Sequence, residues 1–383
     1  MREYSDVVIV GAGASGLLCG GLLASFGFGV TVLEKNDRVG KKLSASGNGR
    51  CNFTNLDLSA EKYYGDREWL KRALNGYGPD EIIRRFEKIG IYHRERDGYV
   101  YPYTNQSSTV VETLEKYCQM GNTEIVLSCK ATAVRNTGDG YRVRTPEGEI
   151  RCRYVVLAAG GKASENLGGD GSGYILAKSL GQNLHHIFPG LTGLICRGDF
   201  WKRTAGTRIQ GRFSLLLDHR MVEGECGEIQ ITKDGVSGIP VFQMCRIAAE
   251  ALVEGRTVEG IIDFVPSMTD EELEEWVNRF GPGGLVQQKW RSFFEKRAEA
   301  AKQLKAFRFP VIATFGMERA QVTAGGIDTG EICPETMESV LNPGLFILGE
   351  LLDIDGKCGG YNLHLAWTCA YRAAAEIDRK ERR

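Results

Sequence analysis

The chain has 383 residues, with 48 basic and 49 acidic side chains and a formal net charge of −1. That length suits two or three domains with a large core. So even a charge balance provides no global field to attract nucleic acid or acidic lipid. The 11 cysteines include no Cys-x-x-Cys pair, and no histidine pair sits beside Cys118 and Cys129 or beside Cys358 and Cys369, so no metal site is expected. Without a secretory leader they read as free thiols of a cytoplasmic protein, not as a disulfide framework. The absence of HExxH, GxSxG and GxxxxGK[ST] removes the zinc-protease, esterase and P-loop classes.

Asp6–Val10 is an apolar strand that runs into Gly11-Ala12-Gly13-Ala14-Ser15-Gly16, then an apolar helix from Leu17 to Phe26, then a second strand, Val30–Leu33, ending at Glu34. Gly11 permits the tight turn, Gly13 lets a pyrophosphate approach the backbone, and Gly16 lets the helix pack on the strand. The amides of Ala14, Ser15 and Gly16 at the helix start face the phosphates. The Glu34 carboxylate accepts both ribose hydroxyls and repels a 2′-phosphate. Strand, turn, helix and acid together predict a dinucleotide site. Val7 to Leu33 carries no charge and is long enough to span a bilayer. It is also rich in glycine, and residues 1–6 are not a basic leader, so no membrane association is expected.

A long loop of small polar residues, glycines and cations follows, from Val39 to Asn55, with Arg50-Cys51-Asn52-Phe53 inside it. Its many amides and little bulk suit an extended anionic ligand. A nicotinamide dehydrogenase usually passes straight to its next helix here, so the loop favours a larger, buried cofactor. Alternating strands at Glu124–Arg135 and Gly140–Thr145, with a turn at Gly138-Asp139-Gly140, form a small antiparallel layer over 124–152. The apolar strand Arg153–Leu157 then ends in Ala158-Ala159-Gly160-Gly161 and passes back beside the nucleotide. Gly168–Gly173 opens a helix, Tyr174–Leu180.

From Phe188-Pro189-Gly190 onward β-like runs such as Phe213–Leu217 give way to helical patterns at Pro240–Leu252, after the Thr269–Glu272 cap, and at Gln287–Ala306. Near the C-terminus, Asn342–Gly349 leads to Glu350, Asp353, the Gly359-Gly360 pair, Tyr361-Asn362 and an apolar helix to about Ile377; Glu376 to Arg383 reads as a frayed, charged tail. An apolar strand again meets an acid, a glycine pair and a helix start. Free amides there suit the negative N1–C2 edge of a reduced flavin. No second Gly-x-Gly-x-x-Gly follows a strand, which removes a second nicotinamide fold.

With these motifs in this order, the chain resembles the two-dinucleotide-binding-fold flavoproteins, and within them the bacterial aminoacetone oxidase / bile-acid-reductase-like family. The resemblance is carried by Gly11–Gly16, Glu34-Lys35, Gly40-Lys41-Lys42-Leu43 with Ser46–Asn55, and Gly98–Pro102. It continues through Ala158–Gly161, Gly227-Glu228 to Pro240, Val322–Ile327 and Gly349–Asn362. It implies non-covalent FAD, bound by N- and C-terminal parts of one domain, and an inserted domain over the flavin. Three departures bear on the substrate and not on FAD: Asn48 replaces a glycine, Gly227–Gly235 replaces a Phe-Thr-His run, and His364 replaces a glutamine.

The expected fold is α/β. A FAD-binding, Rossmann-like domain of the glutathione-reductase type spans 1–190 plus 318–383, and an inserted mixed β/α domain spans 191–317. The candidate cofactor residues are Gly11, Gly13, Ala14, Ser15, Gly16, Glu34, Lys35, Lys42, Leu43, Gly49, Arg50, Cys51, Asn52, Ala131, Ala159, Gly160, Gly161, Gly349, Glu350, Asp353, Gly359, Gly360, Tyr361 and Asn362. Lys42 and Arg50 would offset pyrophosphate charge, and Cys51 is a buried bystander. Tyr101, Tyr361 and His364 are the proton-donor candidates; Arg203, Arg208 and Arg212 are candidates to hold a substrate carboxylate. The expected function is an FAD-dependent oxidoreductase that passes a hydride through flavin N5, with NADH or NADPH reducing an activated C=C bond in a hydrophobic, steroid-like small molecule. The alternatives are a peroxide-producing amine oxidase and, from another class, a flavin-bound sensor or RNA-modification accessory. The sequence leaves the oligomeric state open.

Overall fold

Branched apolar residues dominate Tyr4–Val10 (β1) and Val30–Leu33 (β2), and Val7–Ile9 and Val30 are fully buried. Strands buried on both faces read as continuous apolar runs, the signature of a parallel sheet covered by helices. The structure, a computed structural model, describes residues 2–294 and 297–382. It separates into two units, residues up to 187 with 322 onward, and residues 188–321.

In the first unit, β1 leads to the helix Ala14–Ser25 (α1) and β2. The helix Ser107–Gln119 (α2) is followed by Thr123–Val126 (β3), Ala133–Asn136 (β4), Tyr141–Thr145 (β5) and Gly148–Leu157 (β6). Leu345–Ile347 (β7) and the helix Tyr361–Glu381 (α3) close the unit. The sheet runs β3-β2-β1-β6-β5-β4, with β7 also paired to β6. Pairing is parallel for β3–β2, β2–β1, β1–β6 and β6–β7. β6 changes partners along its length: residues 148–152 lie antiparallel to β5, and Val155–Leu157 lie parallel to β7.

This corrects the separate antiparallel layer expected over 124–152. Its first residues form β3 and extend the parallel edge, while the β4–β5 hairpin continues the main sheet through β6. The alternating burial of Tyr141, Val143 and Thr145 marks a half-buried strand but does not choose its partner. α1 is apolar around most of its circumference because α2 and α3 both pack on it. A Cβ at Gly20 would sit 2.7 Å from Cys118 Sγ, and one at Gly21 2.3 Å from the Tyr117 ring, so these glycines let α2 approach.

α3 runs on through the expected frayed tail. Glu376 and Ile377 are buried, Arg379 pairs with Glu376, and Arg382 pairs with Asp378 at 2.8 Å; Arg383 lies outside the described residues.

The second unit is a closed barrel. Its strands run Leu194–Cys196, Gly235–Ser237, Arg220–Thr232, Arg208–Leu217, Val258–Asp263 and Phe307–Thr314, and the last pairs back with the first. The helix Ile239–Val253 packs on it. Thr269 and Glu272 form the capping box that opens the helix Asp270–Phe280. The helix expected over Gln287–Ala306 is a 3₁₀ turn, Gln288–Phe293, and a helix, Arg297–Lys305; residues 295–296 lie outside the described residues. Phe213, Trp201, Trp290 and Phe309 fill this unit's own core.

Candidate cofactor site

The first glycine turn has three geometries for three tasks. Gly11 has φ +106°, and a Cβ there would lie 2.5 Å from Ala158 O. A Cβ on Gly16 would lie 1.9 Å from Gly11 O, so only glycine lets α1 start this close to β1. A Cβ on Gly13 would meet nothing within 4 Å. That open face fronts the helix start. Gly13 caps α1 without a side chain, and the first helical bond is Leu17 N to Gly13 O at 3.0 Å. The amides of Ala14, Ser15 and Gly16 therefore have no partner within the helix, which is the arrangement that binds phosphate.

Glu34 is buried at the end of β2. Its Oε2 accepts from Ala12 N at 2.9 Å, and its Oε1 accepts from Asn36 N at 2.9 Å and Asn36 Nδ2 at 2.6 Å. The carboxylate is thus fixed against the glycine turn, with acceptor capacity left on Oε2 for a hydroxyl. Cys129 N donates to Glu34 O at 2.8 Å, which brings the segment containing buried Ala131 alongside.

The C-terminal motif meets this turn. Gly349 has φ +63°, and a Cβ there would lie 3.4 Å from Ser15 Oγ. Lys42 Nζ donates to both carboxylate oxygens of Glu350 at 2.8 Å, and Glu350 Oε1 also accepts from Thr323 N at 3.0 Å. Thr323 Oγ1 accepts from Lys162 N at 2.7 Å and Ala163 N at 2.9 Å. A Cβ on Gly161 would collide with Thr323 Oγ1 at 2.2 Å and Glu350 Oε1 at 2.6 Å. Residues 42, 161, 323 and 350 are therefore one knot. Lys42, the cation expected to offset pyrophosphate charge, lies on Glu350. Thr323, a small residue inside the Val322–Ile327 motif, carries no sequence signal for a role, yet its hydroxyl is the centre of the knot.

Lys35 pairs with Asp170 at 2.5 Å, and Lys130 pairs with the same carboxylate at 2.9 Å. Burial would raise the pKa of Asp170, but hydrogen bonds from Lys130, Lys35 and Ser172 outweigh it and hold the carboxyl below its ordinary range. Lys35 thus supports this acid. Asp353 holds His185 Nδ1 at 2.8 Å, a bond that raises the His185 pKa.

At the start of α3, Gly359 and Gly360 have φ +134° and +96°. Asn55 Nδ2 donates to Gly359 O at 2.9 Å, and Asn362 bonds both polar atoms of Gly356, at 2.8 and 2.7 Å. Tyr361 donates its hydroxyl to Asp57 O at 3.2 Å, and Tyr63 donates to Tyr361 O at 2.8 Å. Leu43 and Cys51 are buried, and burial pushes the Cys51 thiol up to about 12, so it is no redox nucleophile.

His364 does not take the proton-donor part. It is fully buried, with Nδ1 2.7 Å from Thr54 Oγ1 and Nε2 2.8 Å from Tyr77 O. With Tyr77 O accepting from Nε2–H, Thr54 donates to Nδ1, and the ring is neutral. Burial lowers its pKa from 6.5 to about 4. Tyr101 is half-buried; burial first, then the neighbouring Tyr99, raise its pKa, against the lowering effect of Arg50.

The three arginines proposed for a substrate carboxylate are each engaged within the second unit. Arg203 stacks over Phe293 at 4.8 Å, Arg208 pairs with Glu228 at 2.8 Å, and Arg212 Nη2 reaches Gly224 O at 3.5 Å.

The residues present fit FAD. A Cβ at Gly13, Gly49 or Gly160 meets nothing within 4 Å, two helix starts lack side-chain caps, and the buried Asn52 Oδ1 has no hydrogen-bond partner. Gly11–Gly16 and Glu34 would hold the ADP part, and the start of α3 the flavin.

The model of the HI0933-like protein Rossmann domain matches residues 5–376. A 3-dehydro-bile acid delta(4,6)-reductase of Clostridium scindens is 35% identical, over 96% of this chain and 98% of that one. A ribosomal RNA dihydrouridine synthase of Haemophilus influenzae is 28% identical, over 99% of this chain and 100% of its own. In fold, the chain is similar to a 3-ketosteroid-delta4-(5alpha)-dehydrogenase of Rhodococcus jostii RHA1, with TM-score 0.58, 16% identity, and coverage of 98% and 97%. No helix among the described residues is long and apolar enough to cross a membrane. The glycine turn, the buried ribose acid and the match over nearly all of the chain lead to one conclusion: it belongs to the HI0933-like Rossmann family and is an FAD-dependent oxidoreductase.

Proposed function

We propose that the enzyme reduces an activated carbon–carbon double bond in a hydrophobic, oxo-steroid-like substrate, with NADH or NADPH as electron donor. The observation that carries this reading is the 35% identity, over nearly the full length of both chains, to a protein named as a bile-acid reductase. The dihydrouridine synthase is named for the same type of change, saturation of a ring C=C conjugated to a carbonyl. The charge balance favours the small molecule: the chain's net charge is −1, and residues 188–321 hold equal numbers of acidic and basic side chains.

When bound, FAD supplies the N5 position through which a hydride passes from donor to acceptor. The protein's part is positional and electrostatic. Gly11–Gly16 and Glu34 would fix the ADP end, and the Lys42–Glu350–Thr323 knot ties the C-terminal motif to the loop that follows Val39. The start of α3 presents amides to an anionic edge. Saturating a C=C bond also requires a proton at the second carbon. Tyr101 is assigned that proton: a phenol is protonated at neutral pH, and Tyr101 lies beside Tyr99, whose ring would come within 3.2 Å of a Cβ on Gly359 at the start of α3.

Anaerobic spectra of the holoprotein test the whole reading. NADH or NADPH should bleach the flavin, and an unsaturated oxo-steroid should restore its colour. Bleaching by small amines, or reoxidation by uridine-containing RNA and not by the steroid, would overturn it.

A further inference from the structure

We infer that Asn52 reads the pyrimidine edge of the flavin, its Oδ1 accepting the N3–H. The inference rests on FAD being the cofactor and adds the group that recognises its ring. Asn52 is half-buried, but its Oδ1 is shut off from solvent and has no hydrogen-bond partner. A buried carbonyl oxygen left without a donor costs roughly 1–3 kcal/mol, so such an atom calls for a ligand donor.

Its position says which donor. A Cβ built on Gly360 would lie 2.9 Å from Asn52 Oδ1, so the oxygen sits at the very start of α3. Gly360 caps this 21-residue helix with no side-chain bond, and the first helical bond runs from His364 N to Gly360 O at 2.9 Å. The amides of Asn362 and Leu363, which precede it, have no partner within the helix. The site thus sets an acceptor beside donors. The imide edge of a flavin is the complement, an N3–H donor flanked by the C2 and C4 carbonyl acceptors. Phosphate and carboxylate ligands carry no such donor and would be repelled by Oδ1. Gly360 itself answers to the protein: a Cβ there would press on Thr54 O at 2.8 Å as well as on Asn52 Oδ1.

The test compares FAD with N3-methyl-FAD, which lacks this one proton, by titrating flavin-stripped full-length protein and following flavin fluorescence and absorbance. Wild type should bind FAD at least tenfold more tightly than the N3-methyl analogue. Asn52→Ala should bring the ratio to within about threefold, and Asn52→Asp, which keeps an acceptor, should preserve it. The second readout needs no variant: FAD labelled with ¹⁵N at N3 should show a proton on N3 protected from exchange with water. Equal binding of both flavins by wild type, an undiminished ratio in Asn52→Ala, or a freely exchanging N3 proton would overturn the inference while leaving FAD as the cofactor. Failure to bind either flavin would overturn the cofactor assignment with it.

Discussion

Two glycine-rich turns feed the two buried helices α1 and α3, and glycine is there for different reasons. At Gly13 the space beyond the missing side chain is open, so glycine leaves room there that no protein atom fills. At Gly360 the same space is occupied by Thr54 O and Asn52 Oδ1, and φ is +96°, so what glycine avoids is the protein itself. One motif type, glycine before a helix, therefore arises once from binding and once from folding geometry. A substitution at each position separates the two.

Gly13→Val carries the largest effect. Its methyls enter space no protein atom uses, so the flavin-free protein should unfold at the wild-type temperature. FAD affinity should fall at least a hundredfold, about 3 kcal/mol. A drop in apo-protein stability would erase the contrast. Gly360→Ala is the mirror experiment. Overpacking against backbone typically costs about 1–3 kcal/mol, and this should appear in thermal unfolding of the flavin-free protein, before any cofactor is added. Unchanged stability there would show that the α3 turn has more room than its geometry indicates.

Glu34→Gln sharpens the first turn further. The amide keeps one acceptor but loses the charge, and charged hydrogen bonds are worth roughly 1.5–3 kcal/mol. FAD affinity should fall about tenfold while FMN affinity, without the ribose that Glu34 serves, stays constant. Parallel losses for both flavins would place the ribose elsewhere.

The smallest effect lies under the second turn, at His364. Its folded pKa, about 4, is below the ordinary 6.5, so the unfolded chain binds the proton more readily. Stability from the neutral ring is present above pH 6.5 and is lost as the pH falls toward 4. At pH 6 the deficit should be on the order of 1 kcal/mol, well within what a buried histidine can contribute. His364→Gln has a donor and an acceptor but no proton to gain, and should flatten the slope of stability against pH. An unaltered slope would assign acid sensitivity to another group.

The same contrast shows what the sequence makes legible. Gly11 to Glu34 is readable because strand, turn, helix and acid are neighbours in the chain, and each demands a particular residue type. The knot of Lys42, Gly161, Thr323 and Glu350 is not, since its members are linked only by tertiary folding. Lys42 reads as a cation of the polar loop, and nothing near it in sequence announces Glu350 as its partner. His364 looks like a proton donor until Thr54 and Tyr77 are found on its two nitrogens. In the second unit the runs around Phe213 announce strands, but barrel closure depends on the three-residue strands Leu194–Cys196 and Gly235–Ser237. Such strands are too short to show a period. Arg220–Thr232, rich in charge and glycine, hides a long one.

The partner change along β6 bears on how the protein is made. On the ribosome, β1, β2 and β6 emerge early, but the side of Val155–Leu157 that faces away from β1 has no neighbour until residues 345–347 appear. The apolar face of α1 waits equally long for α3. For most of synthesis the nascent chain therefore carries an open strand edge and an uncovered helix, the surfaces by which chains associate wrongly. The residues after 188 already have a separate core to bury. A truncation before residue 345 should accordingly yield aggregate, whatever its barrel does.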